Sequence, residues 1–169
     1  MMNLKCIARL LLPTALLFVS CNEGLSPSST TPPTPTGNVS GVVRFTNWDS
    51  AGTVVDIRLV LFRNFPPNDI VGEVIGGQAV VYPVLGAGAL VPFGADSIQY
   101  NLELAVGTYQ YVAIAQQFGP NNLADWRAVG QYDLDTNLTV PTSIVITVDD
   151  TTSGIDVNVD FDNLPPPPF

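Results

Sequence analysis

The chain predicts an all-β fold, a single antiparallel β-sandwich of about seven to nine short strands behind a disordered tether. Three observations carry that prediction. Apolar and polar residues alternate with period two through most of residues 39–163. Turn-forming clusters interrupt the alternation at short intervals. No stretch of any length carries the 3.6-residue period of an amphipathic helix, which leaves sheet packed on sheet as the way to bury a core.

The elements follow in order. Val39, Gly41, Val43 and Phe45 alternate with Ser40, Val42, Arg44 and Thr46. A turn cluster at 47–52 leads to a second strand, where Val55, Ile57, Leu59 and Leu61 alternate with Val54, Asp56, Arg58, Val60 and Phe62. Ile98, Tyr100, Leu102 and Leu104 against Ser97, Gln99, Asn101 and Glu103 make the cleanest half-buried strand of the chain. Residues 108–116, TYQYVAIAQ, are apolar on both faces, as expected of a central strand. Ile144, Ile146 and Val148 form another strand. In the last one Ile155, Val157, Val159 and Phe161 face inward, with Asp156, Asn158, Asp160 and Asp162 outward. Only residues 122–129 have room for a helix, of two turns at most. At about 125 residues this domain has a normal single-domain size and can bury around two-thirds of its unfolded surface.

Residues 70–95 stand apart. Glu73 is their only charge, yet Gly72, Gly76, Gly77, Pro83, Gly86, Gly88, Pro92 and Gly94 break the run, and Gly and Pro at that density disfavour a membrane-spanning helix. One reading is two short strands, 70–75 and 79–85, with a loop to Phe93, packed in the sandwich. The other is an exposed apolar flap that docks a partner or lipid.

The N-terminal region reads as an address. Residues 1–9 carry Lys5 and Arg9 and no acid, and residues 10–19 are a short apolar run interrupted by Pro13, too short to span a bilayer. Residues 22–38 then hold the stretch SPSSTTPPTPTG, which has too little apolar content to offset the entropy of ordering and is expected to stay extended. At about 3.1 Å per residue it reaches roughly 50 Å. The far end, residues 164–169, is a Pro-rich tail, LPPPPF, unable to continue a helix or join a central strand.

Composition removes much chemistry. The chain has 15 acids, all after Cys21, and no His. From Cys21 onward it has four arginines and no lysine, a formal charge of −11. Without His there is no Ser-His-Asp or Cys-His pair and no ordinary His/Cys zinc site, and without Lys no Schiff base or phosphate-loop lysine. Four scattered arginines on so acidic a chain offer no basic stripe for nucleic acid. No catalytic residue, cofactor or resident metal is assigned.

Two resemblances add to this reading. Phe18-Val19-Ser20-Cys21 resembles the lipobox of bacterial lipoprotein signal peptides, with Phe18 where Leu is usual. That resemblance implies a signal peptide over 1–20, a lipidated Cys21 opening the tether (21–38), and acyl chains that hold the protein on a lipid bilayer of the bacterial cell envelope, at the outer membrane on its periplasmic or surface face. SGVVRF, VVDIRLVLFR and the element Gly107-Thr108-Tyr109 before an alternating final strand resemble the transthyretin-like, or carboxypeptidase-regulatory-like, modules of exported bacterial proteins. This second resemblance implies a prealbumin-like, Ig-like sandwich over 39–163, with the G-x-Y element starting a central strand. The connection over 64–96 is longer than that family leads one to expect.

Three features could carry chemistry. Asp133-Leu134-Asp135-Thr136-Asn137 opens like a calcium loop, but Leu138 and Ile144 stand where an EF-hand needs Gly and Glu, which leaves a looser calcium site there or at Asp149 and Asp150, set against a solvated acidic turn. Asp156, Asp160 and Asp162 are either paired carboxylates for glycoside hydrolysis or solubility charges on a sheet edge. Trp48 and Trp126 fall in or beside loops, with Tyr82, Tyr109, Tyr111 and Tyr132 as further rings. Beside Asn121, Asn122 and Asp125 they are candidate contacts for a glycan, unless Trp126 simply plugs the core. The reading is a non-catalytic, membrane-anchored interaction or structural module whose partner is an envelope protein. A carbohydrate-binding module is the alternative and a carboxylate-only hydrolase the third.

Overall fold

The computed structural model describes residues 32–88, 91–135 and 137–168. The signal peptide, Cys21 and the first part of the tether lie outside the described residues. The chain from Thr34 onward is one compact unit, and its described residues are all-β apart from one short helix and one 3-10 turn.

The strands are β1 (Thr36–Thr46), β2 (Asp56–Phe62), β3 (Ala79–Tyr82), β4 (Ser97–Ala105), β5 (Gly107–Tyr109), β6 (Tyr111–Gln117), β7 (Trp126–Gln131), β8 (Ile144–Ile146), β9 (Thr151–Thr152) and β10 (Val157–Asp160). The helix α1 covers Ile70–Ile75, and the 3-10 turn covers Trp48–Ser50. The main sheet runs β3-β2-β6-β7-β10-β1-β4, with β9 also on β1, while β5 and β8 pair separately. The sheet is mixed. β1 pairs parallel with β10 and β9, so the uniformly antiparallel arrangement expected from the turn signals does not hold there. The connections into β9 and β10 are no tight hairpins; the chain returns along β1 in the same direction.

Inner-face side chains from β1, β2, β4, β6, β7 and β10 meet those of Tyr109, Ile144 and Ile146 in one core, which requires the sheet to curl around it. The alternation expected for β1, β4 and β10 is the alternation observed: Val39, Val43, Phe45, Tyr100, Leu102, Leu104, Val157 and Val159 are all buried. In β2, Ile57, Leu59 and Leu61 face the core as expected, but Arg58, Val60 and Phe62 are buried on the other face and Val55 is exposed. The central strand is there too, broken at Gln110. β5 joins β8, and β6, buried at every position, joins β2 and β7.

Four boundaries differ from expectation. Residues 70–75 are helix rather than strand, although five of the six are Gly or β-branched. Asp69 caps the helix by accepting from the Val71 N–H at 3.2 Å, and Ile70 and Val74, one turn apart, pack on the sheet. The stretch 122–129, which had room for a helix by sequence, instead leads into β7 (Trp126–Gln131), because the backbone groups there are claimed by β6 and β10. β1 begins at Thr36, inside the expected tether, since Thr36, Gly37 and Asn38 pair with Ala105, Leu104 and Glu103. The tail is packed: Leu164 lies against the core and Pro165 is buried.

Gly41 shows what the mixed pairing demands. The segment between β9 and β10 passes so close to β1 that a Cβ on Gly41 would meet the Ile155 carbonyl oxygen at 2.0 Å. The same carbonyl accepts from the Tyr100 hydroxyl at 2.5 Å, and Ile155 N–H donates to Ser40 O at 3.1 Å, so it has no freedom to retreat. Gly41→Ala is therefore expected to lower the unfolding free energy by about 3 kcal/mol or more. Gly88→Ala, where an added Cβ meets nothing within 4 Å, should leave the urea midpoint within error of the wild type.

Candidate functional site

The half of the sheet formed by β3, β2 and β6 is apolar on both faces. Val60, Phe62, Ala79, Tyr111, Ala113 and Ala115 form a second buried cluster on the outer side, against which Ile70, Val74, Val81 and Trp126 pack. α1 lies across this face but does not cover all of it. Between the helix and the turn before β7 remains an open groove. Val71, Val74 and Ile75 form one wall, Val60 and Ala115 the floor, and Trp126 with Leu123 the other wall. Its rim is strongly exposed for apolar residues: Ile75 at 80%, Leu123 at 65% and Leu85 at 60%.

Two polar residues border the groove, Asn122 and Arg58. The Asn122 carbonyl accepts from Trp126 Nε1 at 2.8 Å, which fixes the indole on the wall. Arg58 is buried at one end. Its Nε donates to Asp56 Oδ2 at 2.7 Å, Nη1 to the carbonyls of Pro83 (2.8 Å), Val84 (3.2 Å) and Gly88 (3.1 Å), and Nη2 to that of Ala87 (2.9 Å). One guanidinium thus fastens the loop after β3 to β2 and sets the position of Leu85. Sequence reading placed Arg58 on a polar face. A sharper signal was available: an Arg embedded in DIRLVLF with an Asp two residues before it is the composition of a buried, internally paired cation.

The remaining candidates are distributed as follows. Cys21 lies outside the described residues. Trp48 is on the other side of the sheet from Trp126, stacked on Phe45 at 5.1 Å and against Phe161 at 4.8 Å and Phe93 at 5.2 Å, with Nε1 donating to Ala95 O at 3.0 Å. It closes one end of the main core. Tyr109, Tyr111 and Tyr132 are buried and present no ring to a ligand. Burial pushes the phenols of Tyr100, Tyr109, Tyr111 and Tyr132 up from their ordinary value. Asp133 accepts from Thr142 Oγ1 at 3.0 Å and from Gln131 Nε2 at 3.2 Å, Asp135 from the Asn137 N–H at 2.6 Å, and Asp150 from the Thr151 N–H at 2.8 Å. Asp149 sits in the left-handed region at φ 54°. Among the described residues no three His, Cys, Asp or Glu side chains converge as metal ligands.

Asp156, Asp160 and Asp162 are not on a sheet edge, because β10 is bonded on both sides, to β7 and to β1. Each acid instead holds a neighbour. Asp156 accepts from Arg44 Nη1 and the Val42 N–H, both at 2.9 Å; Asp160 accepts from Asn47 Nδ2 at 2.7 Å; Asp162 accepts from Ser50 Oγ. They tie the β1 side of the sheet to β10 rather than converge in a cleft.

No protein-family model, no curated protein and no solved structure matches this chain. Among the described residues no helix is long and apolar enough to cross a membrane.

Two outcomes follow from this geometry. Arg58→Ala leaves Asp56 and four loop carbonyls without their donor, so it should cost about 3–5 kcal/mol in urea unfolding and make the loop at 83–88 a preferred site of limited proteolysis. The hydrogen bond from Arg44, and then that from Val42, holds the Asp156 carboxyl below its ordinary value of 3.8. Its contribution is present above that pH and fades as pH falls through the depressed value. The urea midpoints of wild type and Asp156→Asn should therefore differ modestly near neutrality, since the pair is at the surface, and converge as pH falls below the ordinary carboxyl value and through the depressed one.

Proposed function

We propose that this protein is a lipid-anchored, exported module of the bacterial cell envelope, held by acyl chains on Cys21, that works by docking an apolar segment of an envelope protein rather than by catalysis. The observation that carries this reading is the meeting of Trp126 with α1 and Leu85, from the apolar stretch 70–95, in one open groove. Sequence reading treated these as separate candidates. An apolar floor with exposed apolar rims loses water favourably when another apolar surface enters, at roughly 25 cal/mol per Å². The flap reading of 70–95 is thus supported for its helix and for Leu85.

In this proposal the curled sheet and the β5–β8 pair are the two layers of a prealbumin-like, Ig-like sandwich. The G-x-Y element supports it. Tyr109, 1% exposed, donates its hydroxyl back to Ala105 O at 3.1 Å, as a tyrosine at a sandwich corner does, while Arg63 lies over its ring at 4.4 Å. Gly107, at φ 127°, leaves the room Arg63 needs.

A glycan is the second reading, because Trp126 does border a groove. The groove is lined almost wholly by apolar side chains, however, and of its two polar residues Arg58 is a donor already bonded to Asp56 and to loop carbonyls, while the Asn122 main-chain carbonyl is taken by Trp126. The readings separate in one experiment on residues 32–169. The dye 8-anilinonaphthalene-1-sulfonate should bind saturably to the folded protein and quench tryptophan emission by energy transfer, with both signals lost in Trp126→Ala. A panel of envelope polysaccharides should leave the emission flat. A saturable polysaccharide response abolished by the same substitution would sink the apolar reading.

A further inference from the structure

The opposite margin of the sheet carries a different kind of surface. β4 is the last strand of the main sheet, and its register with β1 runs unbroken from Thr36↔Ala105 to Arg44↔Ser97. Two bonds at the ends of this ladder give its phase: Phe45 N–H donates to Asp96 O at 2.8 Å and Val106 N–H to Pro35 O at 3.0 Å. Opposite residues in antiparallel strands exchange bonds at every second pair. Residues 98, 100, 102 and 104 therefore spend their backbone groups on β1, and Ser97, Gln99, Asn101 and Glu103 aim theirs away from the sheet. The other side of β1 has the complementary phase, since Asn38 N–H and Val42 N–H donate to Asp150 O and Asp156 Oδ1. Among the described residues nothing bonds the N–H or C=O of those four β4 residues.

An open edge of this length is usually blunted by Pro, Lys, a bulge or a covering loop. The far margin of the same sheet follows that rule: β3 has four residues and runs into Pro83, with the next loop fastened by Arg58. β4 has nine residues and none of these devices, and its only charge is Glu103.

We propose that β4 is a pairing edge for a second copy of this chain, forming a continuous antiparallel sheet across a two-fold axis at Tyr100. That register sets Ser97 opposite Glu103 and Gln99 opposite Asn101, so each outward N–H meets an outward C=O over roughly 20 Å of strand. It also puts hydroxyl against carboxylate and amide against amide, with no like charges facing. On a chain this acidic, a nine-residue edge with one charge is where two copies approach with least repulsion. The strand's other face continues the core through Tyr100, Leu102 and Leu104, so the pairing leaves the inner packing untouched.

The test uses the full chain, co-expressed as two differently tagged copies, one carrying Gln99→Cys and one Asn101→Cys, and treated with a short bifunctional thiol reagent. The unsubstituted chain reports the background from Cys6 and Cys21. The expected result is a mixed-tag dimer above that background. It should be lost when both copies also carry Ser97→Glu, which sets a carboxylate opposite Glu103 at each end of the pairing line and leaves both thiols in place. Gln99→Lys/Asn101→Lys should likewise be a monomer by sedimentation in detergent, and should pair again when mixed with Gln99→Glu/Asn101→Glu, because position 99 of one copy faces position 101 of the other. No mixed-tag product above background, or cross-linking only to a protein of another mass, overturns the proposal. Where circular dichroism shows the Lys variant folded, a restored dimer in the Lys/Glu mixture supports the pairing and chains that stay apart refute it; where it shows the Lys variant misfolded, the cross-linking of Gln99→Cys to Asn101→Cys, which needs no Lys substitution, decides.

Discussion

The close passage of the Ile155 carbonyl beneath Gly41 is the contact on which the rest of this sheet depends. β1 is bonded along one edge to β4 and along the other to β9 and then β10. For β10 to run parallel to β1, the chain between β9 and β10 must cross close to β1's backbone, and only a residue without Cβ permits that approach. Gly37, where a Cβ would meet Thr147 O at 2.0 Å, does the same for the strand before. Tyr100, from β4, completes the arrangement by donating its hydroxyl to Ile155 O. Three strands and the core beneath them are thus coordinated at one point.

From that point the two halves of the sheet diverge. Around β1, β4 and β10 the inner face is apolar and the outer face polar, with Asp156, Asp160 and Asp162 each bonded to a neighbouring group. Around β2 and β6 both faces are apolar, and water must be excluded twice. The main core serves one face. On the other, α1 and the packed side chain of Trp126 cover part of the surface and leave the groove between them. The groove is therefore a consequence of incomplete cover on a two-sided strand pair, and Arg58 supplies the rigidity by holding its end loop through four carbonyls.

How much of this could be read from the sequence varied with the kind of information each element needs. β4 and β10 were legible residue by residue, because one face of each meets the core and the other meets water or a hydrogen-bond partner at the surface, so burial is written in the alternation itself. α1 was not, because Ile, Val and Gly favour extended backbone, and the helix exists through the Asp69 cap and the seating of Ile70 and Val74 on a surface that the local sequence does not describe. The Asp69 cap and the Gly76-Gly77 stop were present as signals and were outweighed by propensity. In the candidate site, Trp126 was singled out correctly as a residue beside a loop. Leu123 and Leu85 were not, since nothing local distinguishes a groove rim from a scattered surface Leu, and Arg58 was passed over although Asp56 stands two residues before it in an apolar strand.

The sequence alone determined that the protein is all-β, which residues of β1, β2, β4 and β10 face the main core, and that neither His nor Lys follows residue 20, because composition and period-two alternation are local properties of the chain. Only the tertiary structure decided that β1 and β10 run parallel, that Trp48 and Trp126 lie on opposite sides of the sheet, that the acids of the last strand hold the interior of the sheet rather than an edge, and that β4 is left open. Each of these depends on which strands become neighbours. That choice is made by the simultaneous burial of side chains more than a hundred residues apart, and alternation along a single strand says which face is buried without saying against what.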